Sequence, residues 1–199
     1  MRFVVSGTDT DIGKTVFSAG LAALLGARYW KPVQAGIPTD SQTVAALAGV
    51  EILPEAYRLK LAASPHQAAA EEGITIDPDR LVPPEGPVVI EGAGGLMVPL
   101  TRQMLFIDIF ARWQIPLILC ARTRLGTINH TLLSIAAIRA RSIPLHGVAF
   151  LGEANDESER IITEIGQVKR LGRLPVIAPL SAARLKDAFA KHFNVADFR

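Results

Sequence analysis

The sequence predicts an α/β fold, with helices covering both faces of a mainly parallel β-sheet. Short apolar runs alternate with segments of helical periodicity along the whole chain, and buried strands separated by helices are typical of parallel sheets. The length of 199 residues suits one large domain, and hydrophobic residues, 49% of the total, can fill its core. We therefore expect residues 1–199 to form a single domain.

The apolar runs divide into strands and helices in chain order. The predicted strands are Phe3–Ser6, Tyr29–Val33, Val88–Ile90, Leu117–Ala121, Gly147–Leu151 and Leu174–Ala178. The predicted helices are Lys14–Ala27, Ser41–Leu47, Asp108–Trp113, His130–Arg141, Glu157–Lys169 and Ala182–His192. Connections between the parallel strands are expected to be right-handed.

The segment Pro54–Pro87 is less regular than the rest of the chain and contains several prolines. We interpret it as a long excursion with short helices that lies over the active-site edge of the sheet. A separate domain is the alternative, but the segment lacks the apolar residues for a core of its own.

Charge and cysteine content argue against several classes of protein. The 21 Lys and Arg residues are scattered among 19 acids, without the basic arm or stripe that nucleic-acid binding requires. A single cysteine, Cys120, allows no internal disulfide and suits a reducing compartment. The N-terminus does not resemble a signal peptide, and apolar runs such as Ile115–Ala121 are shorter than the ~20 residues that span a membrane. We expect a cytoplasmic protein that binds neither nucleic acid nor membranes.

The segment Gly7–Thr15 follows the first predicted strand and leads directly into an apolar helix. A strand, a loop ending in Gly-Lys-Thr and a helix form the context of a P-loop, which binds a nucleoside triphosphate. Backbone N–H groups of such a loop surround phosphate oxygens, and the helix dipole favours the negative charge. Gly13 would allow close approach, Lys14 would bridge the β- and γ-phosphates, and Thr15 would ligate Mg²⁺.

The spacing of this loop differs from the general pattern, which has four residues between its glycines. Five residues separate Gly7 from Gly13. Either Thr8 takes the place of the first glycine or the loop is one residue longer. A chance Gly-Lys-Thr at a turn is the other alternative, and the flanking strand and helix argue against it.

Glu91 and Asp40 are candidate carboxylate ligands of the metal. Glu91 follows the predicted strand Val88–Ile90, and an acid at the carboxyl end of a buried strand faces the crevice where such sheets bind ligands. The alternative is a simple turn after the strand. Asp40 follows a flexible stretch and is equally compatible with capping a helix, a role for which Ser41 competes.

Several other polar positions leave more than one interpretation open. Lys31 lies in the apolar segment Tyr29–Val33, so it must lie at a sheet edge, at a strand end or against an anion. The segments Ser64–His66 and Gly126–His130 would either bind a carboxylate or cap a helix. The four histidines show no shared metal-ligand spacing, and Cys120 is expected in the core.

Taken together, these segments resemble dethiobiotin synthetase, an ATP-dependent family of biotin biosynthesis. The loop matches the variant P-loop of that family, including its extra residue. The other matching segments follow in the order of the family: Lys31–Gly36, Asp40–Val44, Ser64–His66, Glu91–Gly95, Leu125–His130 and Leu171–Pro175. Each motif is of moderate specificity, but the ordered set is specific and covers most of the chain.

The resemblance implies roles for individual residues. The implied catalytic residues are Lys31, Lys14 and Thr10. The implied ATP-binding residues are Asp11, Ile12, Gly13, Lys14, Thr15, Val16, Glu91, Gly92, Ala93, Gly94, Leu151 and Pro175. The implied substrate-binding residues are Thr10, Lys31, Ala35, Gly126 and Asn129. The implied Mg²⁺ ligands are Thr15, Asp40 and Glu91.

The resemblance also implies the reaction and the assembly. The family converts 7,8-diaminononanoate, CO₂ (in equilibrium with bicarbonate) and ATP into dethiobiotin, ADP and phosphate. One amine captures CO₂ as a carbamate, the carbamate attacks the γ-phosphate, and the second amine closes the ring on the resulting carbamic–phosphoric anhydride. Family members are homodimers, so Leu125–His130 of one subunit would bind the carboxylate of a substrate held mainly by the other.

Two positions depart from the family pattern. Ala35 stands where the family usually has Ser or Thr, which removes one hydroxyl contact to the substrate. Leu151 stands where many members have an Asn that reads the adenine. Both differences concern recognition, and neither concerns the phosphate chemistry.

Three other classes of nucleotide-binding protein fit the sequence less well. Cobyrinate-type synthetases usually carry a separate glutaminase domain, for which 199 residues leave no room. Partitioning-type ATPases have an additional lysine near the start of the loop, where this chain has Thr8–Asp11. A regulatory nucleotide-binding module need not keep a reacting lysine such as Lys31.

Overall fold

The computed structural model describes residues 1–198, which form a seven-stranded sheet with helices on both faces. The strands of this sheet are β1 (Arg2–Gly7), β2 (Arg28–Trp30), β4 (Ile52–Leu53), β6 (Val88–Gly95), β7 (Leu117–Arg122), β8 (Leu145–Leu151) and β9 (Arg170–Leu174). Every pair of neighbours is parallel, and the strand order is β4-β2-β6-β1-β7-β8-β9. A second, two-stranded parallel sheet joins β3 (Val33–Ala35) to β5 (Tyr57–Leu59).

Helices pack against both faces of the main sheet. They are α1 (Lys14–Leu25), α2 (Asp40–Ala48), α3 (Pro65–Glu71), α4 (Phe106–Trp113), α5 (Thr127–Ala140), α6 (Asp156–Gly166) and α7 (Ala182–His192). Short 3₁₀ turns lie at Pro78–Arg80 and Val195–Phe198. None of the helices in the described part of the chain has the length and apolar character needed to cross a membrane.

Successive residues of β1 belong to two different cores, as the alternation of side chains along a strand requires. Val4 packs in the core that contains Phe110 of α4. Its neighbour Val5 packs in the core that contains Phe17 of α1 and Phe189 of α7. The predicted α/β class with a parallel sheet covered on both faces is therefore confirmed.

The predicted strand Tyr29–Val33 is wrong as a single element. β2 ends at Trp30, and Val33 begins the small sheet with β5. Pro32 separates the two strands because it has no N–H group to donate to a sheet. Its carbonyl oxygen accepts a hydrogen bond from the Tyr57 backbone at 3.1 Å, which starts the second sheet. Lys31 lies in the break between them.

The predicted strand Leu174–Ala178 is also misplaced, because β9 ends at Leu174. The sequence Arg170–Leu174 reads as polar, but Glu159 of α6 pairs with both of its arginines. The buried Glu159 carboxylate lies 2.6 Å from Arg170 and 3.1 Å from Arg173. The residues after Leu174 instead form a loop with Pro175 at its start.

Some helix boundaries differ from those predicted. α5 begins at Thr127, before the predicted His130, because Gly126 caps it with a φ of 93°. α6 ends at Gly166, before the predicted Lys169, because Gln167 takes a φ of 43°. Both ends depend on a left-handed residue, which a helical hydrophobic pattern does not reveal.

The excursion Pro54–Pro87 contains β5, α3 and a 3₁₀ turn, as its irregular pattern predicts. Its apolar side chains, such as Leu59 and Leu81, pack into the same core as Val4. The short stretch Ala62–Pro65 lines the cleft at the active-site edge of the sheet. The excursion therefore completes the main core and covers the site. The assignment of all 199 residues to one domain stays a prediction, because Arg199 lies outside the described residues.

Candidate active site

The loop between β1 and α1 is shaped to hold an anion. Gly13 has a φ of 97° and precedes α1 without any side-chain cap, so the first N–H groups of the helix keep no side-chain partner there. A Cβ at Gly7 would lie 2.6 Å from the Ile12 side chain and 3.0 Å from Lys14. A side chain at Gly7 would therefore crowd the loop. This close packing favours Gly7 over Thr8 as the first glycine of the motif, in a loop one residue longer than the general pattern.

Lys14 is held inside this loop, only 6% exposed. Its ammonium donates a hydrogen bond to the Asp9 carbonyl oxygen at 2.8 Å. Burial lowers the pKa of Lys14, and the nearby Glu91 carboxylate offsets only part of that effect. A cation in such a buried site attracts an anion more strongly than a cation in water does.

A hydroxyl and two carboxylates converge at the N-terminus of α1. The Thr15 hydroxyl oxygen lies 2.9 Å from Oδ1 of Asp40 and 2.9 Å from Oε1 of Glu91. One hydroxyl proton can serve only one of these oxygens at a time. Such hard oxygen ligands suit Mg²⁺, which proteins bind through one or two carboxylates together with substrate phosphates. Within residues 1–198, no group of three or more His, Cys, Asp or Glu side chains is arranged to hold a metal without other ligands.

Lys31 lies at the carboxyl end of β2 and completes this cluster. Its ammonium is 2.6 Å from Oδ2 of Asp40, 3.3 Å from Oε1 of Glu91 and 3.0 Å from the Gly92 carbonyl oxygen. It is 3% exposed. Burial alone would lower the pKa of Lys31, but the two carboxylates outweigh burial and raise it. The sheet-edge interpretation is therefore wrong, and Lys31 is a buried cation at a strand end.

Glu91 lies inside β6 rather than after it, because this strand continues to Gly95. It pairs in register with Val5 and is 1% exposed. The interpretation of Glu91 as a simple turn residue is wrong. A carboxylate buried in a parallel strand needs charged or hydrogen-bonding partners, which Thr15 and Lys31 supply.

The structure also corrects the capping of α2. Thr39 is the N-cap and forms a capping box with Gln42, so neither Asp40 nor Ser41 has that role. The Asp40 side chain is thus free to face Lys31 and Thr15. Burial disfavours the charged form of Asp40, yet Lys31 and Thr15 lower the pKa of its carboxyl group.

Gln34 holds the loop before α2 in position. The sequence offered no signal for this role beyond a glutamine after Lys-Pro-Val. Its side-chain oxygen accepts a hydrogen bond from the Asp40 backbone N–H at 3.0 Å. Its amide donates to the carbonyl oxygens of Ala35 and Gly36. A buried amide with partners at both ends holds the loop before α2 in one shape.

Two clefts meet at the P-loop. The first, of about 730 Å³, contains the cluster around Lys31 and lies under Ala62–Pro65. The residues expected at the site that line it are Thr10, Asp11, Gly13, Lys14, Thr15, Lys31, Ala35, Asp40, Glu91, Ala93 and Gly94. Gly92 contributes its carbonyl oxygen to Lys31.

The second cleft, of about 490 Å³, lies on the other side of the loop. The expected residues that line it are Asp11, Ile12, Gly13, Val16, Leu151 and Pro175. Leu151 is the last residue of β8, and its Cδ1 would lie 3.5 Å from a Cβ added at Gly13. The loop after β9, which was predicted as a strand, forms the opposite wall through Pro175, Val176 and Ile177.

Arg122 is a lining residue of the second cleft that the sequence did not single out. It lies at the end of β7, and its guanidinium donates to the Asp9 carboxylate at 2.8 Å and to the Thr10 carbonyl oxygen at 3.2 Å. These contacts tie the tip of the P-loop to the sheet.

Gly126 and Asn129, which the resemblance places at the substrate, line neither cleft. Gly126 caps the start of α5, next to the fully exposed Leu125. A single chain therefore does not bring this segment to Lys31, and a role for it in substrate binding stays a prediction.

Comparison with known proteins places this geometry in a family. Residues 1–184 match the family model described as an AAA domain, AAA_26. The ATP-dependent dethiobiotin synthetase BioD of Agrobacterium fabrum is 64% identical, over 100% of this chain and 97% of the relative. The enzyme of the same name from Sphingopyxis alaskensis is 58% identical, over 100% of this chain and 99% of the relative.

More distant solved structures share the fold alone. A ParA family ATPase from Chlorobium tepidum is similar with a TM-score of 0.57 at 11% identity, over 96% of this chain and 90% of that one. The MinC:MinD cell division complex of Aquifex aeolicus is similar with a TM-score of 0.53 at 12% identity, over 94% and 86%. Full-length relatives of high identity, together with a complete P-loop and its carboxylate cluster, lead to one conclusion: the chain belongs to the ATP-dependent dethiobiotin synthetase family.

Proposed function

We propose that this protein is a ligase that uses ATP to close the ureido ring of dethiobiotin from 7,8-diaminononanoate and CO₂. The observation that carries the proposal is Lys31, a buried cation beside the P-loop where the first cleft meets Lys14. A carbamate and a γ-phosphate are both anions, so their reaction needs fixed positive charge at the point of contact. Lys14 and Lys31 supply that charge from the two sides.

Each residue of the site would have a separate role in this reaction. Lys14 would hold the β- and γ-phosphates after leaving the Asp9 carbonyl oxygen, 2.8 Å away. Lys31 has three donors and three acceptors around it, so it would exchange one of them for the carbamate oxygen. Thr10 and Asp11 would line the carbamate and phosphate. The second amine would then attack the anhydride and release phosphate, and no enzyme nucleophile is needed.

Thr15, Asp40 and Glu91 would hold Mg²⁺ through their oxygens. Bound there, Mg²⁺ would neutralise charge on the phosphate oxygens. The cytoplasm, expected from the sequence, supplies the reducing conditions that suit the buried and unpaired Cys120.

The experiment that tests the proposal is phosphate release from ATP with and without diaminononanoate and bicarbonate. We expect release to require both, because the γ-phosphate is attacked only by the carbamate. Release that is independent of the diamine would contradict the ligase proposal and favour a simple ATPase.

Glu91→Gln is expected to raise the Mg²⁺ concentration needed for half-maximal activity by about tenfold or more. The substitution keeps the shape but removes one of the two carboxylate charges, on which Mg²⁺ binding depends. The measurement is phosphate release over a Mg²⁺ titration. Glu159→Gln is the matched control, since Glu159 is also buried but pairs with Arg170 and Arg173. An equal Mg²⁺ response in both variants would refute the metal assignment.

We further propose a homodimer in which Leu125–His130 of the partner completes the substrate site. The start of α5 and the turn after β6 expose four apolar side chains, namely Met97, Leu125, Ile128 and Leu133. Met97 and Leu133 line one groove of about 440 Å³ beside the P-loop residues Thr8–Thr10. If a second copy of the chain binds in this groove as a closed two-fold dimer, Gly126 and Asn129 of each subunit would approach the substrate site of the other subunit.

Leu133→Glu is expected to convert the dimer to a monomer and to remove most activity, because a charge would be buried at the interface. Sedimentation equilibrium and phosphate release measure the two effects. Ile165→Glu, an equally exposed apolar position on α6, should change neither. A monomer with full activity would rule out the shared site.

Leu151 is expected to weaken discrimination among nucleotides. An Asn at this position can accept from the adenine amino group and donate to a ring nitrogen, whereas leucine offers apolar contact only. Such a polar pair contributes roughly 1–3 kcal/mol of discrimination. We expect appreciable activity with GTP and CTP, with ATP still preferred through backbone groups near Leu174–Val176.

The test compares kcat/KM for ATP, GTP and CTP in the wild type, Leu151→Asn and Leu151→Ala. The alanine variant separates loss of the leucine from gain of the amide. Increased ATP selectivity in Leu151→Asn alone is the expected result. A wild-type preference for ATP above about 1,000-fold that the substitution leaves unchanged would show that the base is read elsewhere.

A further inference from the structure

The two oxygens of the Glu91 carboxylate have different partners. Oε1 faces the cleft and lies 2.9 Å from the Thr15 hydroxyl and 3.3 Å from the Lys31 ammonium. Oε2 faces away from the cleft and accepts a hydrogen bond from the Tyr29 hydroxyl at 2.9 Å. Tyr29 is 0% exposed. Tyr29 has no role in the reaction proposed above.

The Tyr29 ring is held firmly by its surroundings. Tyr29 lies in the middle of β2, in register with Val89 of β6 on one side and Ile52 of β4 on the other. It packs in the core with Phe17 and Leu21 of α1. A tyrosine hydroxyl, with an ordinary pKa of about 10, carries its proton at neutral pH. A fixed, neutral donor therefore points at one carboxylate oxygen.

A glutamate carboxylate rotates easily about its terminal bond, because that torsion has only broad minima. A donor on one oxygen removes this freedom and sets the direction of the other oxygen. Hydrogen-bond partners of metal-binding carboxylates act in this way, and their loss weakens metal binding by about 10- to 100-fold.

We propose that Tyr29 is a positioning residue, which holds Glu91 by Oε2 and thereby aims Oε1 at Thr15, Lys31 and the divalent cation. The proposal rests on the proposed function, since it concerns the cation that accompanies ATP. It adds a residue from the interior of β2 to a site that is otherwise built from the P-loop, Lys31, α2 and β6.

Tyr29→Phe tests the proposal by removing one oxygen atom and keeping the ring. We expect Mn²⁺ and Mg²⁺, titrated in the presence of ADP, to bind about 10- to 100-fold more weakly. ADP binding without metal should change less than about twofold, because Tyr29 does not line either cleft. Isothermal titration calorimetry and Mn²⁺ electron paramagnetic resonance measure these affinities without turnover.

Tyr57→Phe is the matched control. Tyr57 is also buried, and its hydroxyl accepts a 2.9 Å hydrogen bond from the Asp77 backbone, away from the P-loop. This variant should bind metal like the wild type. A metal affinity that changes less than about twofold in Tyr29→Phe, or equally in both variants, would overturn the proposal.

A double variant covers the case in which the unpartnered Glu91 charge prevents folding of Tyr29→Phe. In Tyr29→Phe/Glu91→Gln, the ring faces a neutral amide. If Tyr29 acts through Glu91, the double variant binds metal like Glu91→Gln alone, whereas a further loss of affinity would contradict the proposal. Binding of metal with ADP does not require the diamine. Absence of diamine-dependent phosphate release would therefore refute the ligase function and leave the Tyr29 result standing.

Discussion

Replacing Lys14 with alanine is expected to lower kcat by about a thousandfold. Lys14 is the P-loop cation expected at the β- and γ-phosphates, where negative charge shifts as the transition state forms. Removing one donor at such a place typically lowers kcat by about 10²–10³, and Lys14 is expected at the upper end of that range. The Asp9 carbonyl oxygen would also lose its 2.8 Å partner and leave the loop tip less ordered. Phosphate release at saturating diamine, bicarbonate and ATP measures the effect.

The fold should survive Lys14→Ala, because the side chain makes one hydrogen bond to the loop and alanine favours the helix that begins there. Far-ultraviolet circular dichroism and thermal unfolding test this separately from activity. Lys186→Ala is the control, since Lys186 is an exposed lysine of α7. Wild-type rates in Lys14→Ala would remove the assignment of this loop to phosphate binding.

Lys31→Gln is expected to stop the chemistry while leaving nucleotide binding largely intact. The Lys31 charge is needed mainly where carbamate and γ-phosphate meet, so it stabilises the transition state more than the ATP complex. We expect kcat to fall by about 100- to 1,000-fold, with a change of less than about threefold in the affinity for ATP. Stopped-flow nucleotide titration and phosphate release measure these two quantities on the same preparation.

Lys31→Gln should also reduce stability, because the Asp40 and Glu91 carboxylates lose the cation between them. Breaking a buried pair by removing one partner is destabilising by about 3–5 kcal/mol. Lys169→Gln is the control, because it also breaks a lysine–aspartate pair, at 2.8 Å from Asp197 but away from both clefts. Loss of stability with normal kcat in Lys31→Gln would mean that this lysine serves the fold alone.

The P-loop could be predicted well because its determinants are local. A strand, a turn with Gly7 and Gly13 and a helix beginning at Lys14 follow one another within a few residues. Whether the loop was one residue longer could not be read from the motif. That question depended on the close approach of Ile12 and Lys14 to Gly7, which only the folded loop shows.

The strand errors have a different cause. Tyr29–Val33 reads as one apolar run, but Pro32 divides it between two sheets. Arg170–Leu174 reads as polar, but Glu159 of the preceding helix pairs with both of its arginines. The break at Pro32 is a local signal, whereas the pairing of Val33–Ala35 with β5 and the contacts of Glu159 involve residues outside each run, which the pattern of that run does not contain.

The amino-acid sequence by itself determined the fold class, the phosphate loop and the candidate residues Lys31, Asp40 and Glu91, because each depends on residue type and near neighbours. Only the tertiary structure decided how these residues meet. Thr15 and Glu91 are 76 positions apart, and Lys31 and Glu91 are 60 apart, yet parallel strands bring them to one edge of the sheet. The Tyr29–Glu91 contact is of the same kind, because a hydrogen bond between side chains of two paired strands depends on strand order and register, and neither is encoded locally.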